Sequence, residues 1–277
     1  MTKEVYVGPE AMPLSSLHIR EVEEIDGPGA LLDRFYLEVD RLAFADPDAK
    51  RDIDDAAQQA MAAHDGILRD GQPYFSHVLR MSLRLICHLE ITDRDMIIAA
   101  LFHDTVEDAP HRLLGIPHDE VGPGSRPAFR APALAYLKAR FGSGVAGLVG
   151  AVTNPQFSDK DKDGEYQEHV RRLLASQIVV STSNGPKILR PGLLKLADFI
   201  DNSSGLMWAT DTGKKEHLPH KYLPLFDDMR TFTQSGVLSE RALSYVLMQL
   251  DRAERRCRAL AMPQQQLGEI ALAPDLI

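Results

Sequence analysis

The chain has 277 residues, of which 44% are hydrophobic and 26% charged, a composition typical of a globular protein that can bury its own core. Its net charge of −9 argues against a basic face for nucleic acid, but a cation with a few Arg or Lys side chains could still hold a small anion. The lack of an apolar run of about 18 residues, of a secretory signal and of any cysteine besides Cys87 and Cys257 predicts a cytoplasmic protein without a membrane segment or disulfides.

Helical periodicity dominates the sequence after an irregular N-terminal extension. Residues 1–29 are rich in Gly and Pro and weakly periodic, so we expect no regular structure there. Residues 30–262 are predicted to form one all-α domain, and residues 263–277 a C-terminal tail. The predicted helices cover about residues 30–45, 50–68, 74–90, 93–104, 133–152, 164–181, 191–207, 220–233 and 238–261.

Three segments between these helices are predicted to be loops. Residues 109–132 contain five prolines and three glycines, and residues 154–164 are polar and charged. Residues 181–192 include Ser183-Asn184-Gly185-Pro186, a composition typical of turns. Long loops in a helical protein often form the mouth of a pocket.

The second loop resembles the start of a calcium-binding EF-hand, because Asp159, Asp161, Asp163 and Gly164 fit the first positions of that motif. The twelfth position of an EF-hand loop requires a bidentate glutamate. Here that position is Val170, so the sequence favours a solvated charged loop over a calcium site.

The densest group of chemically capable side chains lies at residues 103–108, His-Asp-Thr-Val-Glu-Asp. It follows an apolar run, residues 96–102, which is typical of a buried helix and would carry His103 and Asp104 into the interior. A buried imidazole beside a buried carboxylate needs a partner. A divalent cation such as Mn, Fe or Zn suits these nitrogen and oxygen atoms, whereas the alternative is a simple pair at the negative end of a helix.

Two more side chains would complete a metal site. His77 lies in the helix predicted from residue 74, which we expect to pack against the helix before His103. Asp198 lies in the apolar run 196–200, where an unpaired carboxylate would be costly. With Asp104, these residues would offer two nitrogens and two oxygens and leave positions for water and substrate, as a hydrolytic metal site requires. Alternatively, His77 is an ordinary histidine and Asp198 pairs with Lys195.

His77, His103-Asp104 and Asp198 resemble the H…HD…D signature of the HD superfamily of metal-dependent phosphohydrolases, which is all-helical. More narrowly, the sequence is similar to the hydrolase domain of Rel/Spo-type alarmone enzymes over roughly residues 50–235. The motifs that carry this resemblance occur in the same order as in the family. They are residues 71–77, 100–108 and 195–198 with Asn202, together with 63–66, 140–153 and 167–172.

The resemblance implies hydrolysis of the 3′-diphosphate of guanosine tetra- or pentaphosphate, with release of pyrophosphate and one divalent metal, usually Mn²⁺, although Fe, Zn or Ni could occupy the site. It also implies that Glu107 and Asp108 orient the attacking water and shuttle its proton; the alternative is a solvated turn. The chain is too short for the synthetase domain of bifunctional family members, so a small hydrolase-only form is expected.

The resemblance is weakest around the nucleotide base. Family members commonly have Arg-Lys-Ser-Gly before the Pro-Tyr pair, but this chain has Leu68, Arg69, Asp70 and Gly71. After the last metal ligand the family usually reads Arg-Leu-His-Asn-Met-Arg-Thr, and only Asn202 of that run persists. A different 3′-phosphorylated nucleotide, or a related phosphomonoester, is therefore an alternative substrate.

Four residues are candidate substrate contacts. Arg69 and Lys195 would contact phosphate through their charge, unless they are ordinary surface cations. Tyr74 and Asn202 would line the nucleoside pocket, with core packing and helix capping as their alternatives. The expected partner is a small phosphorylated nucleotide, and the sequence does not indicate an oligomeric state.

A second class of function is a catalytically silent helical protein that binds a nucleotide or a partner, for which the altered base pocket is the motivation. The sequence retains all four candidate metal ligands and both Glu107 and Asp108. Loss of catalysis would be expected to erode those residues first. The sequence therefore favours the enzyme.

Overall fold

Helices make up most of the part of the chain that this computed structural model describes, namely residues 28–44, 46–117, 120–158 and 160–262. The predicted all-α class is confirmed, with two small hairpins beside the helices. The predicted extension 1–29 and tail 263–277 lie outside the described residues, except that residues 28 and 29 belong to the first helix. None of the described helices is long and apolar enough to cross a membrane.

The first half of the described chain contains six α-helices and one π-helical turn. The π-helix, Arg84–His88, continues α3 directly. Helix α4 begins after Asp93, whose side chain caps it by accepting the backbone N–H of Met96 at 3.1 Å. The helices are α1 Pro28–Arg41, α2 Ala49–Ala63, α3 Tyr74–Leu83, α4 Arg94–Phe102, α5 Thr105–Asp108 and α6 Pro110–Leu113.

The second half contains seven α-helices, with short 3₁₀ segments at Pro123–Phe129, Leu206–Trp208 and Leu223–Leu225. Helix α11 was not predicted, because its sequence is polar and carries little apolar periodicity. The helices are α7 Arg130–Phe141, α8 Ser143–Val152, α9 Lys162–Ala175, α10 Pro191–Gly205, α11 Thr212–Tyr222, α12 Phe226–Thr233 and α13 Glu240–Ala261.

Two antiparallel hairpins interrupt the helices, β1 Leu68–Arg69 with β2 Gln72–Pro73 and β3 Ile178–Thr182 with β4 Gly185–Leu189. The predicted extension of a helix to residue 181, and the predicted loop at 181–192, are therefore wrong. Strand β3 alternates in burial, because Val179 is 64% exposed while its neighbours pack against the core. This period of two, with β-branched side chains, favours a strand over a helix.

Two other predictions need correction. The helix predicted over residues 133–152 is two helices, since Gly142 has φ 101° and ψ 170° and ends α7 before α8 begins. The predicted loop 109–132 contains α6 and a 3₁₀ helix. In the charged loop, Asp161 caps α9 by accepting from Gly164 N at 3.1 Å, which is a structural role; Asp159 lies outside the described residues.

Helices α4 and α10 lie at the centre of the hydrophobic core. Every residue of α4 from Met96 to Phe102 is buried, and so is every residue of α10 from Pro191 to Asp201. Helix α4 packs against α2, α3 and α8, and α10 packs against α3, α9 and α13. Because α3 contacts both central helices, side chains from all three can converge inside the protein.

Candidate metal centre and adjoining cleft

The convergence of α3, α4 and α10 brings together His77, His103 and Asp198, all of them buried. The Nε2 atoms of the two histidines lie 3.2 Å apart. Asp198 Oδ1 lies 3.5 Å from His77 Nε2 and 3.8 Å from His103 Nε2. These three atoms surround one point from different helices and could hold a metal ion.

Asp104, the fourth predicted ligand, faces the same point. Its Oδ2 lies 3.4 Å from His77 Nε2 and 3.2 Å from His103 Nε2. Asp104 follows α4 directly and precedes α5, so the end of a buried helix delivers both His103 and Asp104. Asp104 therefore offers a fourth donor atom beside both imidazole nitrogens.

The second ring nitrogen of each histidine has an acceptor that fixes the ring. Nδ1 of His77 lies 2.9 Å from Asp201 Oδ2, and Nδ1 of His103 lies 2.8 Å from the carbonyl oxygen of Ala100. With Nδ1 as donor in both rings, Nε2 of each is left to bind a cation. The buried carboxylate that orients His77 also accepts hydrogen bonds from Arg80 and Arg84.

The electrostatics of this cluster favour a positive charge at its centre. Burial and the charge of Arg69 lower the pKa of His77, but hydrogen bonds to carboxylates outweigh them and raise it to about 9. Burial raises the pKa of Asp198, yet Lys195 and the histidines hold it well below its usual range. Anionic carboxylates beside imidazole nitrogens form a donor set that fits Mn, Fe or Zn.

The four predicted substrate contacts surround the centre and bind its residues. Lys195 Nζ donates to Asp198 Oδ2 at 2.8 Å, and Asn202 Nδ2 donates to Asp198 Oδ1 at 2.6 Å. Tyr74 donates its hydroxyl to Asp104 Oδ2 at 2.7 Å. Arg69 donates to Asn202 Oδ1 at 2.5 Å and to the Tyr74 hydroxyl at 3.2 Å. Asp198 thus pairs with Lys195 and also faces the two histidines. The two interpretations that the sequence allowed, a metal ligand and a partner of Lys195, are therefore compatible.

Glu107 and Asp108 lie on α5, half-buried beside the centre. Glu107 accepts hydrogen bonds from the backbone N and the Nδ2 of Asn154, both at 3.0 Å. Burial and the charge of Asp104 raise the pKa of Glu107 to about 6. The same two causes raise the pKa of Asp108, whose Oδ2 lies 2.6 Å from the Tyr74 hydroxyl. These contacts exclude a simple solvated turn.

Two cavities open onto this centre. The smaller one, about 170 Å³, is lined by His103, Asp104, Glu107, Asp108, Lys195 and Asp198 among others. The larger one, about 440 Å³, is lined by His77 at the centre and by Leu68, Asp70, Leu206, Lys214 and Leu218 among others. Five residues line both cavities: Arg69, Tyr74, Asp108, Asn202 and Tyr222. Of these, Arg69, Tyr74 and Asn202 are joined by hydrogen bonds and form a partition between the two cavities.

Sequence reasoning missed several residues around this site. Asp201 could have been found from its position three residues after Asp198 on the same buried helix. His64, for which the sequence offered no partner, stacks on Tyr74 with ring centroids 4.6 Å apart, and its Nε2 lies 3.1 Å from Thr105 Oγ1. Asn154 and Lys221 carried no signal, because a single polar residue in a loop or on a polar helix resembles ordinary surface.

Several known proteins are similar to this chain. Residues 55–181 match a family model described as HD domain. A guanosine-3′,5′-bis(diphosphate) 3′-pyrophosphohydrolase of Aquifex aeolicus (strain VF5) is 29% identical over 182 residues, which cover 64% of this chain and 21% of that protein. The enzyme of the same name called MESH1 is 31% identical in Drosophila melanogaster, over 54% of this chain and 65% of the relative. The Mus musculus MESH1 is also 31% identical, over 55% and 66%.

A solved structure of a metazoan ortholog of SpoT that hydrolyzes ppGpp covers 79% of this chain and 99% of its own, with a TM-score of 0.50 and 22% identity. This match shows that the two chains share a fold. The chain spans about a fifth of the Aquifex relative and slightly less than two thirds of each MESH1 protein.

Proposed function

Since residues 55–181 of this chain match a family model described as HD domain, we propose that it is a metal-dependent phosphohydrolase that releases pyrophosphate from the 3′-diphosphate of guanosine tetraphosphate or a closely related nucleotide. The observation that carries the proposal is the convergence of His77, His103 and Asp198 on one buried point, with Asp104 Oδ2 within 3.4 Å of both imidazole Nε2 atoms and Glu107 beside them. The three sequence relatives are guanosine-3′,5′-bis(diphosphate) 3′-pyrophosphohydrolases, which supports the same reaction.

The four ligand residues fit a single divalent cation, and Mn²⁺ is the ion we propose. A cation held there would supply Lewis-acid activation of water and would neutralise phosphate charge. The protein contributes the orientation of the ligands, because Asp201 and the Ala100 carbonyl fix the two imidazoles. We also propose that the protein works in the reducing cytoplasm. The free thiols of Cys87 and Cys257 support this location.

Glu107 is the proposed general base. Its carboxylate is held by Asn154 and faces the smaller cavity, and its pKa of about 6 leaves it anionic at neutral pH. A base with a pKa close to the working pH is efficient in proton transfer. Asp108, whose pKa is also raised, would pass a proton on toward the leaving oxygen, with Tyr74 holding its carboxylate in place.

The larger cavity would hold the nucleoside, with the partition of Arg69, Tyr74 and Asn202 between it and the reacting phosphate. A second candidate substrate, with a different base, is favoured by two features of the lining of this cavity. Leu68 is 67% exposed, and Asp70 pairs with Lys214 at 3.0 Å. An aliphatic side chain and an ion pair would contact a nucleotide base differently from the cationic and hydroxyl side chains that are common in the family at these positions.

The test is release of pyrophosphate from guanosine tetraphosphate by the purified protein with Mn²⁺, alongside other 3′-phosphorylated nucleotides. Asp104→Ala should abolish turnover and lower the metal content measured by elemental analysis. Metal-loaded protein that binds these nucleotides but hydrolyses none would favour the catalytically silent alternative instead.

Glu107→Gln separates the base from the ligands. This variant should keep its metal but turn over about 10²–10⁴-fold more slowly. In the wild type, a base with a pKa of about 6 must be deprotonated, so the rate should fall as the pH drops below about 6. The Gln variant should lack that acidic limb. A full rate in Glu107→Gln would refute the assigned role.

A further inference from the structure

Lys221, near the end of α11, is a cation that the proposed mechanism does not use. Its Nζ lies 3.7 Å from the centroid of the Tyr166 ring, and the side chain lines the smaller cavity. In the part of the chain that the structure describes, Lys221 forms no ion pair with a carboxylate. A half-buried ammonium without an anion is costly, and contact with a ring compensates only part of that cost.

The surroundings of Lys221 already hold a second cation. Lys195 Nζ lies 5.1 Å from the centroid of the same Tyr166 ring, and its charge is balanced by Asp198 at 2.8 Å. Asp163, the carboxylate whose charge most favours the Lys221 ammonium, faces His217 with Oδ2 and Nε2 3.4 Å apart. Burial and the charge of Lys195 lower the pKa of Lys221 to about 8.

The smaller cavity links these two ammonium groups to the metal centre. Its lining includes His103, Asp104 and Asp198 as well as Lys195 and Lys221. Its volume of about 170 Å³ far exceeds the roughly 10–15 Å³ that one water needs. An anion in this cavity would therefore contact the metal centre on one side and Lys221 on another.

The larger cavity, which would hold the nucleoside, lies on the other side of the partition of Arg69, Tyr74 and Asn202. A 3′-diphosphate that places its nucleoside there and its ester phosphate at the metal centre would extend its terminal phosphate into the smaller cavity. We propose that Lys221, together with Lys195, binds that terminal phosphate and makes the site selective for diphosphate esters over monophosphate esters. This inference rests on the proposed hydrolase function and names the residues that would recognise its terminal phosphate.

In the reaction, water attacks the ester phosphorus and the bond between that phosphorus and the 3′ oxygen breaks. The 3′ oxygen leaves with a proton as the nucleoside hydroxyl, and both phosphates leave together as pyrophosphate. The terminal phosphate therefore keeps its contact with Lys221 until the product departs, so inorganic pyrophosphate is a direct probe of the site.

The experiment is calorimetric titration of the Mn²⁺-loaded protein with inorganic pyrophosphate and, separately, with inorganic phosphate, at one fixed Mn²⁺ concentration. Lys221→Met should bind pyrophosphate about 10- to 100-fold more weakly, the loss of one charge-assisted contact, and should bind phosphate as the wild type does. Lys221→Arg should restore most of the pyrophosphate affinity. Lys215→Met, on the same helix but outside the cavity lining, is the matched control and should change neither affinity.

Unchanged pyrophosphate affinity in Lys221→Met overturns the inference, and so does an equal loss for both anions, because Lys221 would then not distinguish the terminal phosphate. Lys221→Gln provides a second test if the Met variant does not fold. The titration contains no nucleotide, so it separates the two hypotheses. A wild type that binds pyrophosphate through Lys221 but does not hydrolyse guanosine tetraphosphate would refute the proposed substrate and retain the subsite.

Discussion

Asp201 lies three residues after Asp198 on α10 and is the only carboxylate of the described residues that meets both His77 and a pair of buried arginines. Its Oδ2 lies 2.9 Å from His77 Nδ1, and its Oδ1 accepts from Arg80 Nε at 3.1 Å and Arg84 Nε at 3.2 Å. Burial opposes its charge, but the arginines and His77 hold its pKa well below the usual range. The Asp201 carboxylate is therefore anionic. It orients the imidazole of His77 but is not itself one of the proposed metal ligands.

We expect Asp201→Asn to weaken metal binding and to destabilise the fold. An outer-sphere partner of a histidine ligand typically contributes about 10- to 100-fold in metal affinity, and removal of one partner from a buried ion pair costs about 3–5 kcal/mol. Calorimetric metal titration and urea unfolding would measure the two effects.

The matched control for this substitution is Asp227→Asn. The side chain of Asp227 is 97% exposed, so the free energy of unfolding of this variant should differ from that of the wild type by less than about 0.5 kcal/mol. A folded Asp201→Asn protein with wild-type metal affinity would contradict the orienting role.

The four proposed ligand positions could be picked out from the sequence because each combines an unusual side chain with an apolar helical context. Asp104 and Asp198 are carboxylates next to runs that must be buried, and such carboxylates need a partner. Asp201 has the same context, but one turn of helix can bury a carboxylate against arginines as readily as against a metal. Which of the two occurs depends on Arg80 and Arg84 of another helix, and no pattern within α10 reveals them.

At the scale of elements, the break between α7 and α8 shows the limit of periodicity. Apolar residues continue at helical spacing on both sides of residue 142, and so the sequence predicts one helix. Gly142 adopts φ 101°, a backbone conformation that side chains with a Cβ rarely accept. Arg94 then reaches the carbonyl oxygen of Phe141 at 3.0 Å and holds the end of α7 against α4. A single residue therefore turns the chain without altering its pattern.

Gly142→Ala should lower the free energy of unfolding by about 1–3 kcal/mol, the usual cost of a residue in a disfavoured backbone region. A Cβ at this position would meet nothing within 4 Å, so the loss would come from the backbone alone. Urea denaturation measures the change.

Gly147→Ala tests this assignment in the same pair of helices. Gly147 is inside α8, and an added Cβ would lie 3.5 Å from Ile178 Cδ1, an ordinary contact. This variant should gain about 0.5–1 kcal/mol, since alanine is the better helix former. Destabilisation of both variants to the same degree would show that packing, rather than the φ of Gly142, sets the cost.

At the scale of the whole molecule, the candidate centre joins three helices that are far apart in sequence. His77 comes from α3, His103 from the end of α4 and Asp198 from α10. The apolar stretches around each proposed ligand made this convergence predictable, because such stretches must be buried together. The division of the cleft into two cavities was not predictable. It depends on Arg69 from β1 meeting Asn202 from α10 across 133 positions of sequence.

A cation that binds three helices at one point should stabilise the whole domain. Binding to the native state alone adds about 2.7 kcal/mol when the free metal concentration is 100 times its Kd, which raises the Tm of a chain of this size by roughly 5–10 °C. Mn²⁺ added to protein stripped with EDTA should therefore shift the thermal unfolding curve upward, and renewed chelation should reverse the shift. Differential scanning calorimetry at a series of metal concentrations measures this shift.

Asp104→Ala loses one oxygen of the proposed ligand set, so the Tm of this variant should respond far less to Mn²⁺. A stripped wild type whose Tm ignores Mn²⁺, Fe²⁺ and Zn²⁺ alike would contradict the assignment of His77, His103, Asp104 and Asp198 as ligands of one ion.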